Sequence, residues 1–329
     1  MNGKQTPIKS AMVANSVNTM VLFIFSILIC FNSMGQVVKD TSFTIHSSYV
    51  KEKKRFPSIG IPIVAQPENV LVKRDVVYRT IGDRQLLADI YYPIANTDKK
   101  RPAVLMIFGG GWKSGNKNQW QAYGYRLAEK GYVAIAVEYR LSPEANYPAA
   151  VHDLKAAVRW IRAHAKQYRM DKAKIAAMGA SAGGQLASLL GTTNGKKKFN
   201  GKEKITCRSA AVNAVINIDG ILAFKHPESV EGKVAGEWLG GLYEEKPKLW
   251  EEASPLTHVD KRAAPTCFIN SSNPRFHAGR TDMITQFDSL HIYSEVHEMP
   301  NTPHTFWLFH PWFNDVVDHS ISFLKKVMK

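Results

Sequence analysis

A glycine-rich turn with one serine at its centre, MGASAGG at residues 178–184, is the stretch best suited to nucleophilic chemistry. It contains the pattern G-x-S-x-G around Ser181, between the apolar run AKIAAMG and the helical pattern QLASLLG. A serine on such a sharp strand-to-helix turn is exposed, and the following helix directs N–H groups towards developing negative charge. Because the same pattern is also typical of a tight strand-helix crossover without chemistry, it needs support from elsewhere in the chain.

Support for a nucleophile comes from a second glycine run, FGGGW at residues 108–112. Successive glycines let main-chain N–H groups approach a substrate oxygen without obstruction from side chains. The amides of Gly110 and Gly111, together with that of Ala182, are therefore the predicted oxyanion hole. A phosphate-binding loop is the competing interpretation, but GGGWKSG lacks the G-x-x-x-x-G-K-[ST] spacing that such a loop requires.

A general base is expected late in the chain, and His304 is the best-placed candidate. It lies in MPNTPHTFW, directly after the apolar run IYSEVHEM. The loop after the last strand of a parallel sheet returns above the serine turn, where a base is needed. The rivals His297, His310 and His319 fall inside that strand or in the terminal helical region, where packing or surface roles suit them better.

Short apolar runs that alternate with amphipathic helical patterns must position these residues. Two alternating runs around Gly82-Asp83 predict an antiparallel hairpin, and six further runs are separated mostly by helical patterns. This alternation predicts an α/β fold with a mostly parallel, eight-stranded sheet and helices on both faces. Residues 69–329 form the expected catalytic domain, in which the long segment 221–262 is expected to be a small cap insertion. The six runs are PAVLMIF, YVAIAVEY, AKIAAMG, AVNAVINID, PTCFIN and IYSEVHEM.

The beginning of the chain has the composition of an export signal. Two lysines precede the apolar run VLFIFSILIC at residues 21–30, and the small-x-small triplet SMG follows it. Because the run is too short to span a bilayer comfortably, residues 1–35 are predicted to be a signal peptide rather than an uncleaved anchor. The expected protein is periplasmic or secreted, with no stable membrane span after cleavage. Residues 36–68 are then an extended, polar lead-in to the domain.

The charge balance and the cysteines bear on partners and compartment. The formal net charge is +15, and it falls to +13 without residues 1–35, which hold two lysines and no acid. Such an excess favours anionic surroundings, for example an acidic polysaccharide, whereas no aromatic-interleaved basic motif indicates nucleic-acid binding. After export, Cys207 and Cys267 would be able to pair in an oxidising compartment, but two small buried thiols are the preferred interpretation.

Several of these stretches together carry a resemblance to a known family. They are FGGGW, EYRLSPEANYPAAVHDLKAAVRWIR, MGASAGG, ASPLTHV and the His304 loop. With them the chain, from roughly residue 70 to its end, resembles an α/β-hydrolase of the acetyl-esterase and feruloyl-esterase type, similar to the BD-FAE family. The resemblance implies an acyl-enzyme cycle without cofactor or metal, in which Ser181 attacks an ester carbonyl and His304 takes and returns the proton. The implied substrates are small-molecule or polysaccharide esters, with acetyl or feruloyl groups on plant-type polysaccharides expected.

Two positions depart from that family's pattern. The family's glycine run usually begins with histidine, whereas Phe108 stands here, so the polar support of the oxyanion loop must differ. The family's acid lies in an H-G-x-x-D-x-x-V-P stretch, and INSSNPRFHAGR places Asn273 where the aspartate belongs. An asparagine can orient a histidine, but it stabilises the imidazolium less well than a carboxylate. Asp282, further along the same loop region, is the predicted third member of the triad, with Asp219 and Asn273 as the alternatives.

Basic residues near the expected site suggest a preference among substrates. Arg275, His277 and Arg280 lie in NPRFHAGR, and Trp112 closes the glycine run; these four are the predicted substrate contacts. Because the planar guanidinium group recognises carboxylates, an ester on an acidic, uronate-bearing glycan is the expected substrate. The alternative is that the arginines tie the loop to carbonyls or to surface acids.

Two other functions are compatible with the motifs. A serine peptidase of the prolyl-oligopeptidase kind shares the fold, but it normally needs a large gating domain in addition to the short lead-in present here. A non-catalytic, glycan-binding hydrolase relative is the other alternative. Phe108 and Asn273 motivate it, and the intact Ser181 and His304 argue against it.

Overall fold

The computed structural model describes residues 1–3, 42–94, 99–142, 144–201 and 208–329. Contacts divide the chain into two units, Met1–Val37 and Val38–Lys329, and every helix and strand given below belongs to the second. Residues 4–35 of the predicted signal peptide lie outside the described residues. Cys207 also lies outside them, and with it the question whether this thiol is buried or pairs with Cys267. Within the described ranges, no helix combines the length and apolar character needed to cross a bilayer.

An eight-stranded sheet forms the centre of the second unit. Its strands are β1 (Val70–Ile81), β2 (Arg84–Pro93), β3 (Arg101–Ile107), β4 (Val133–Val137), β5 (Met170–Ala180), β6 (Ala214–Ile218), β7 (Thr266–Ser271) and β8 (Ser294–Met299). In space they follow the order β1-β2-β4-β3-β5-β6-β7-β8. β2 runs antiparallel to β1 and β4, and all other neighbours are parallel. The predicted mostly parallel α/β sheet with its leading hairpin is confirmed.

The helices cover both faces of this sheet. All five residues of β4 and all five of β6 are buried, and since successive side chains point to opposite faces, neither face is open to water there. The apolar stripe of the third helix supplies part of this cover, with Val151, Leu154 and Val158 buried. The helices are α1 (Ile45–Lys53), α2 (Gln121–Glu129), α3 (Ala149–Ala163), α4 (Ala182–Thr192), α5 (Gly232–Leu239), α6 (Pro247–Ala253), α7 (Arg280–Ser289) and α8 (Phe313–Val327).

The segment before β1 differs from the extended lead-in predicted for residues 36–68, because it contains the helix α1. Thr44 begins this helix: its hydroxyl accepts the Ser47 N–H at 2.9 Å, while the Ser47 hydroxyl accepts the Thr44 N–H at 2.9 Å. These reciprocal bonds satisfy amides that a helix leaves without partners at its start. Tyr49 then packs against Phe309, with 6.2 Å between ring centroids, so the helix is fixed to the segment that precedes α8.

The predicted cap insertion falls between β6 and β7 and carries α5 and α6. Trp238 and Trp250, one on each helix, are buried. Trp238 stacks on Trp112, with 5.0 Å between the rings and 13° between their planes. The insertion is therefore fixed against the loop that follows β3.

The carboxyl ends of the parallel strands place the candidate chemistry at one edge of the sheet. Ser181 follows β5 directly, Asp219 follows β6 directly, and the loop after β8 carries His304. Three residues that are distant in sequence thus meet because their strands run in the same direction.

Candidate active site

Ser181 stands on the turn between β5 and α4 in a backbone conformation that is strained for a residue with a side chain. Its φ is 54° and its ψ is −123°. The turn is also crowded on both sides: a Cβ at Gly179 would lie 2.0 Å from the Gly183 carbonyl oxygen, and one at Gly183 would lie 2.1 Å from that of Ile107. Glycine at both positions is therefore a packing requirement of the turn that exposes the serine hydroxyl.

His304 lies between Ser181 and a carboxylate. Its Nε2 is 2.9 Å from Ser181 Oγ, and its Nδ1 is 3.0 Å from Asp219 Oδ2. With the proton on Nδ1 donated to Asp219, Nε2 accepts the serine hydroxyl proton, which is the arrangement a general base requires. The His304 side chain is 20% exposed and that of Asp219 is 0% exposed, so the imidazole is partly accessible while the carboxylate is closed to solvent.

Ser271, at the end of β7, holds the buried carboxylate of Asp219. Its backbone N–H donates to Asp219 Oδ1 at 2.8 Å, and its hydroxyl donates to Oδ2 at 2.6 Å. Such bonds satisfy charged oxygens that burial removes from water. Ser271 was missed from the sequence, where only its place at the end of a predicted strand distinguishes it from other serines.

The choice of Asp282 as the third member of the triad is wrong in this structure. Asp282 lies in the first turn of α7 with a side chain that is 58% exposed, and its Oδ2 contacts His226 Nε2 at 3.1 Å. Between β7 and α7 the chain forms a 3-10 turn, Pro274–His277, which places the start of α7 beside His226 instead of His304. Of the alternatives, Asp219 occupies the position, whereas Asn273 is exposed.

The glycine run after β3 lies against the serine turn. A Cβ at Gly109 would be 2.7 Å from the Ala180 carbonyl oxygen and 3.1 Å from Ser181 Cβ. Gln119 fixes this loop from behind: its Nε2 donates to the Gly109 carbonyl at 3.0 Å, and its Oε1 accepts the Gly109 N–H at 3.2 Å. The loop is thus held next to the serine by a buried amide that was not singled out from the sequence.

The predicted oxyanion donors occupy conformations that suit glycine. Gly110 has φ 139° and Gly111 has φ 58°, values that residues with a Cβ rarely adopt. Their N–H groups donate to no acceptor among the described residues. Ala182 begins α4, where helical N–H groups have no partner within the helix. The three amides remain the predicted oxyanion hole, and the structure leaves the two glycine amides available for that role.

Phe108, which stands where the resembling family has histidine, is held by Tyr139. The two rings stack with 4.4 Å between centroids and 20° between planes, and the Tyr139 hydroxyl donates to the Phe108 carbonyl at 2.9 Å. Burial raises the pKa of this hydroxyl far above its ordinary value, so it stays a donor. Tyr139 and Gln119 together supply the polar support of the loop.

Trp112 and His277 do not act as the predicted substrate contacts, because both are buried. Trp112 is 3% exposed, and its Nε1 donates to Gln185 Oε1 at 2.9 Å. His277 is 8% exposed, and burial, followed by the charge of Arg280, lowers its pKa.

The prediction that Arg275 and Arg280 contact the substrate is also corrected, since the structure pairs both side chains with acids of the protein. Arg275 contacts Glu231 at 2.8 Å, and Arg280 contacts Glu298 at 3.1 Å as well as the Asn270 side chain at 3.1 Å. Both guanidinium groups are thus engaged by acids of the protein itself. These contacts agree with the alternative that the arginines tie the loop to surface acids.

Phe276 contacts His304 directly and was missed from the sequence. Its ring centroid is 3.5 Å from that of the imidazole with 12° between the planes, and the Arg275 guanidinium lies 4.6 Å from the Phe276 ring centroid. Trp307 meets His304 edge-on at 5.4 Å. The base is therefore held from two directions by aromatic rings. An aromatic residue in NPRFHAGR was the only sequence signal.

Comparison with known families and proteins gives a consistent result. The BD-FAE family model matches residues 88–276, more than half of the 329-residue chain. The "Probable carboxylic ester hydrolase LipM" of Mycobacterium tuberculosis is 30% identical over 244 residues, which cover 70% of this chain and 56% of the relative. Esterase LipC of the same organism is 28% identical over 206 residues, covering 61% and 50%. The chain thus spans about half the length of these curated relatives.

Solved structures share the fold over most of the chain. A bifunctional GH43-CE protein of Bacteroides eggerthii superposes with a TM-score of 0.68 at 25% identity, covering 78% of this chain and 38% of that one. Esterase Est2 of Thermogutta terrifontis, with butyrate bound, has a TM-score of 0.65 at 25% identity and covers 79% and 95%. A truncated carbohydrate esterase from gut microbiota, with a TM-score of 0.64 and 22% identity, covers 81% and 100% and matches in fold.

Proposed function

The chain belongs to the BD-FAE family, and on that premise we propose that it is a serine carboxylic-ester hydrolase. The observation that carries the proposal is the unbroken line of hydrogen bonds from Ser181 through His304 to Asp219. A buried carboxylate, an oriented imidazole and an exposed hydroxyl in this order are the parts that acyl transfer through a serine requires.

In the proposed cycle, Ser181 Oγ attacks the ester carbonyl carbon while His304 Nε2 accepts the hydroxyl proton. Asp219 holds the Nδ1–H and stabilises the imidazolium that forms. The N–H groups of Gly110, Gly111 and Ala182 bind the negative oxygen of the tetrahedral intermediate. The imidazolium then protonates the leaving alcohol, which departs and leaves an acyl-serine. Water, deprotonated by the same histidine, repeats the sequence and releases the carboxylic acid.

We propose an acetyl or feruloyl ester on a polysaccharide as the substrate. Membership of the family supports this, as do the solved neighbours described as GH43-CE and as a carbohydrate esterase. A requirement for an acidic glycan is not part of the proposal, because Arg275 and Arg280 already pair with Glu231 and Glu298. The proposal includes export through residues 1–35, which is consistent with a polysaccharide substrate outside the cell.

The test is hydrolysis of p-nitrophenyl acetate, methyl ferulate, acetylated xylan and acetylated pectin by the wild type and by Ser181→Ala. We expect activity on at least one ester, and a fall in kcat of at least about a thousandfold in the variant, because no other group supplies the nucleophile. The exposed Ser289 on α7 provides a matched control, and Ser289→Ala should leave kcat unchanged. A wild type that is inert on all four esters and unlabelled by a fluorophosphonate would favour the glycan-binding alternative.

A further inference from the structure

Outside the catalytic site, three potential metal ligands converge on one face of β7 and the edge strand β8. Cys267 and Glu295 are paired positions of the two parallel strands, and His297 follows two residues later on the same face. One donor atom of each residue, a sulfur, a carboxylate oxygen and a ring nitrogen, lies within 4.8 Å of the others. Across the described ranges of the chain, this is the single trio of such residues that comes together so closely.

The distances within the trio are near those of a tetrahedral metal site. His297 Nε2 lies 3.1 Å from Glu295 Oε1. Two oxygen or nitrogen ligands with bonds of about 2.0–2.1 Å to zinc are about 3.4 Å apart, and a thiolate with a bond of about 2.3 Å lies about 3.6 Å from each of them. If the distance between the imidazole nitrogen and the carboxylate oxygen increases slightly and the Cys267 sulfur moves closer to both, the three atoms occupy three corners of a tetrahedron.

The three side chains of the trio differ in their exposure to solvent. Cys267 is 0% exposed, whereas the side chains of Glu295 and His297 are 12% and 26% exposed, so the cluster is closed towards the core and open towards solvent. Water from the open side is able to fill a fourth position.

The groups already bonded to Glu295 leave one oxygen facing the trio. Lys326 Nζ at 2.6 Å and the Tyr293 hydroxyl at 2.7 Å both bind Oε2, whereas His297 faces Oε1. The Lys326 side chain is 49% exposed, so its charge is screened by solvent and it is free to move away from a bound cation. His319 stacks on His297, with 3.8 Å between the rings and 19° between their planes, and fixes the plane of the ligating ring.

We propose that Cys267, Glu295 and His297 form a binding site for a divalent transition-metal ion, with Zn²⁺ as the preferred occupant. A thiolate combined with an imidazole selects zinc or cobalt over magnesium or calcium, which prefer oxygen ligands alone. Binding replaces the proton of the Cys267 thiol by the metal, and this proton passes to solvent. The site joins an interior strand to the edge strand of the sheet, so a bound ion stabilises the folded chain.

The experiment is a titration of the metal-free chain with Co²⁺, followed by the absorption of thiolate-to-cobalt charge transfer. We expect a band that saturates at one equivalent and disappears when Zn²⁺ is added in competition. Cys267→Ser should abolish the band, since an alcohol does not supply a thiolate ligand. Cys207, the other cysteine outside the predicted signal peptide, provides a matched control, and Cys207→Ser should keep the band.

A second variant keeps the test decisive if Cys267→Ser does not fold. His297→Asn, at a partly exposed position, should keep the charge-transfer band but weaken Co²⁺ binding by at least about tenfold. Zn²⁺ should also raise the melting temperature of the wild type by more than that of His297→Asn. The absence of a band in the wild type, or a band retained in folded Cys267→Ser, would overturn the proposal whatever the esterase assays give.

Discussion

The buried carboxylate of Asp219 holds the Nδ1 side of the His304 imidazole. We predict that Asp219→Asn lowers kcat by about three to four orders of magnitude, because an amide at this position fails to hold the proton on Nδ1 and to stabilise the imidazolium. The exposed Asp282 provides a control with the same side chain, and the kcat of Asp282→Asn should stay near that of the wild type. Equal losses in the two variants, measured with p-nitrophenyl acetate, would contradict the role given to Asp219.

Phe276 acts on the reaction through His304, against which its ring lies flat at 3.5 Å. We predict that Phe276→Leu lowers kcat by about three- to tenfold with little change in KM, since the imidazole gains rotational freedom and loses an aromatic face that favours its charged form. Phe276→Tyr, which keeps the ring, should restore most of kcat. A change confined to KM, or a failure of the tyrosine variant to recover activity, would argue that Phe276 contacts substrate instead.

At the scale of elements, the turn between β5 and α4 depends on close approach to the end of β3. We predict that Gly183→Ala destabilises the fold by about 3 kcal/mol or more, because its Cβ would meet the Ile107 carbonyl at 2.1 Å and main chain would have to move. Gly232 at the start of α5 is the control, since a Cβ there meets nothing within 4 Å. Gly232→Ala should be neutral or slightly stabilising in urea unfolding, and similar losses in both variants would contradict the packing explanation.

The stability of the whole molecule should depend on pH through Lys155, which α3 buries against the end of α4. Its ammonium group donates to the carbonyl oxygens of Leu190 at 3.3 Å and Thr193 at 3.2 Å. Burial, followed by the charge of Arg159, lowers its pKa from 10.5 to about 7. Between these two values the unfolded chain holds a proton that the folded chain has released, so this group makes stability rise as the pH rises from about 7 towards 10.5.

We therefore predict that Lys155→Met gains stability relative to the wild type most clearly near pH 7 and that the gain shrinks as the pH rises. Urea unfolding of both proteins at several pH values between 7 and 10 measures the difference. Lys172→Met, which changes an exposed lysine, should give a difference from the wild type that varies little with pH. A gain from Lys155→Met that is constant or grows with pH would contradict the assignment.

The features that can be predicted from the amino-acid sequence are those encoded within short stretches of the chain. Alternating apolar runs and helical patterns predicted the mostly parallel sheet, because each element buries its own face with its own period. The crowded turn around Ser181 was readable because only glycine fits at its two flanking positions. His304 was predicted as the base because the loop after the last strand of a parallel sheet lies above the serine turn.

The acid that contacts His304 and the role of the basic loop depend instead on contacts between distant parts of the chain. Asp219 and His304 are 85 residues apart, and they meet because β6 ends beside β7, whose Ser271 fixes the carboxylate. Asp282 is nearer in sequence to the other predicted loop residues, but an intervening turn carries it to His226. Arg275 likewise pairs with Glu231, which lies 44 residues away in the predicted cap insertion. Side-chain partners across such separations depend on strand order and loop paths, which no local pattern of residues encodes.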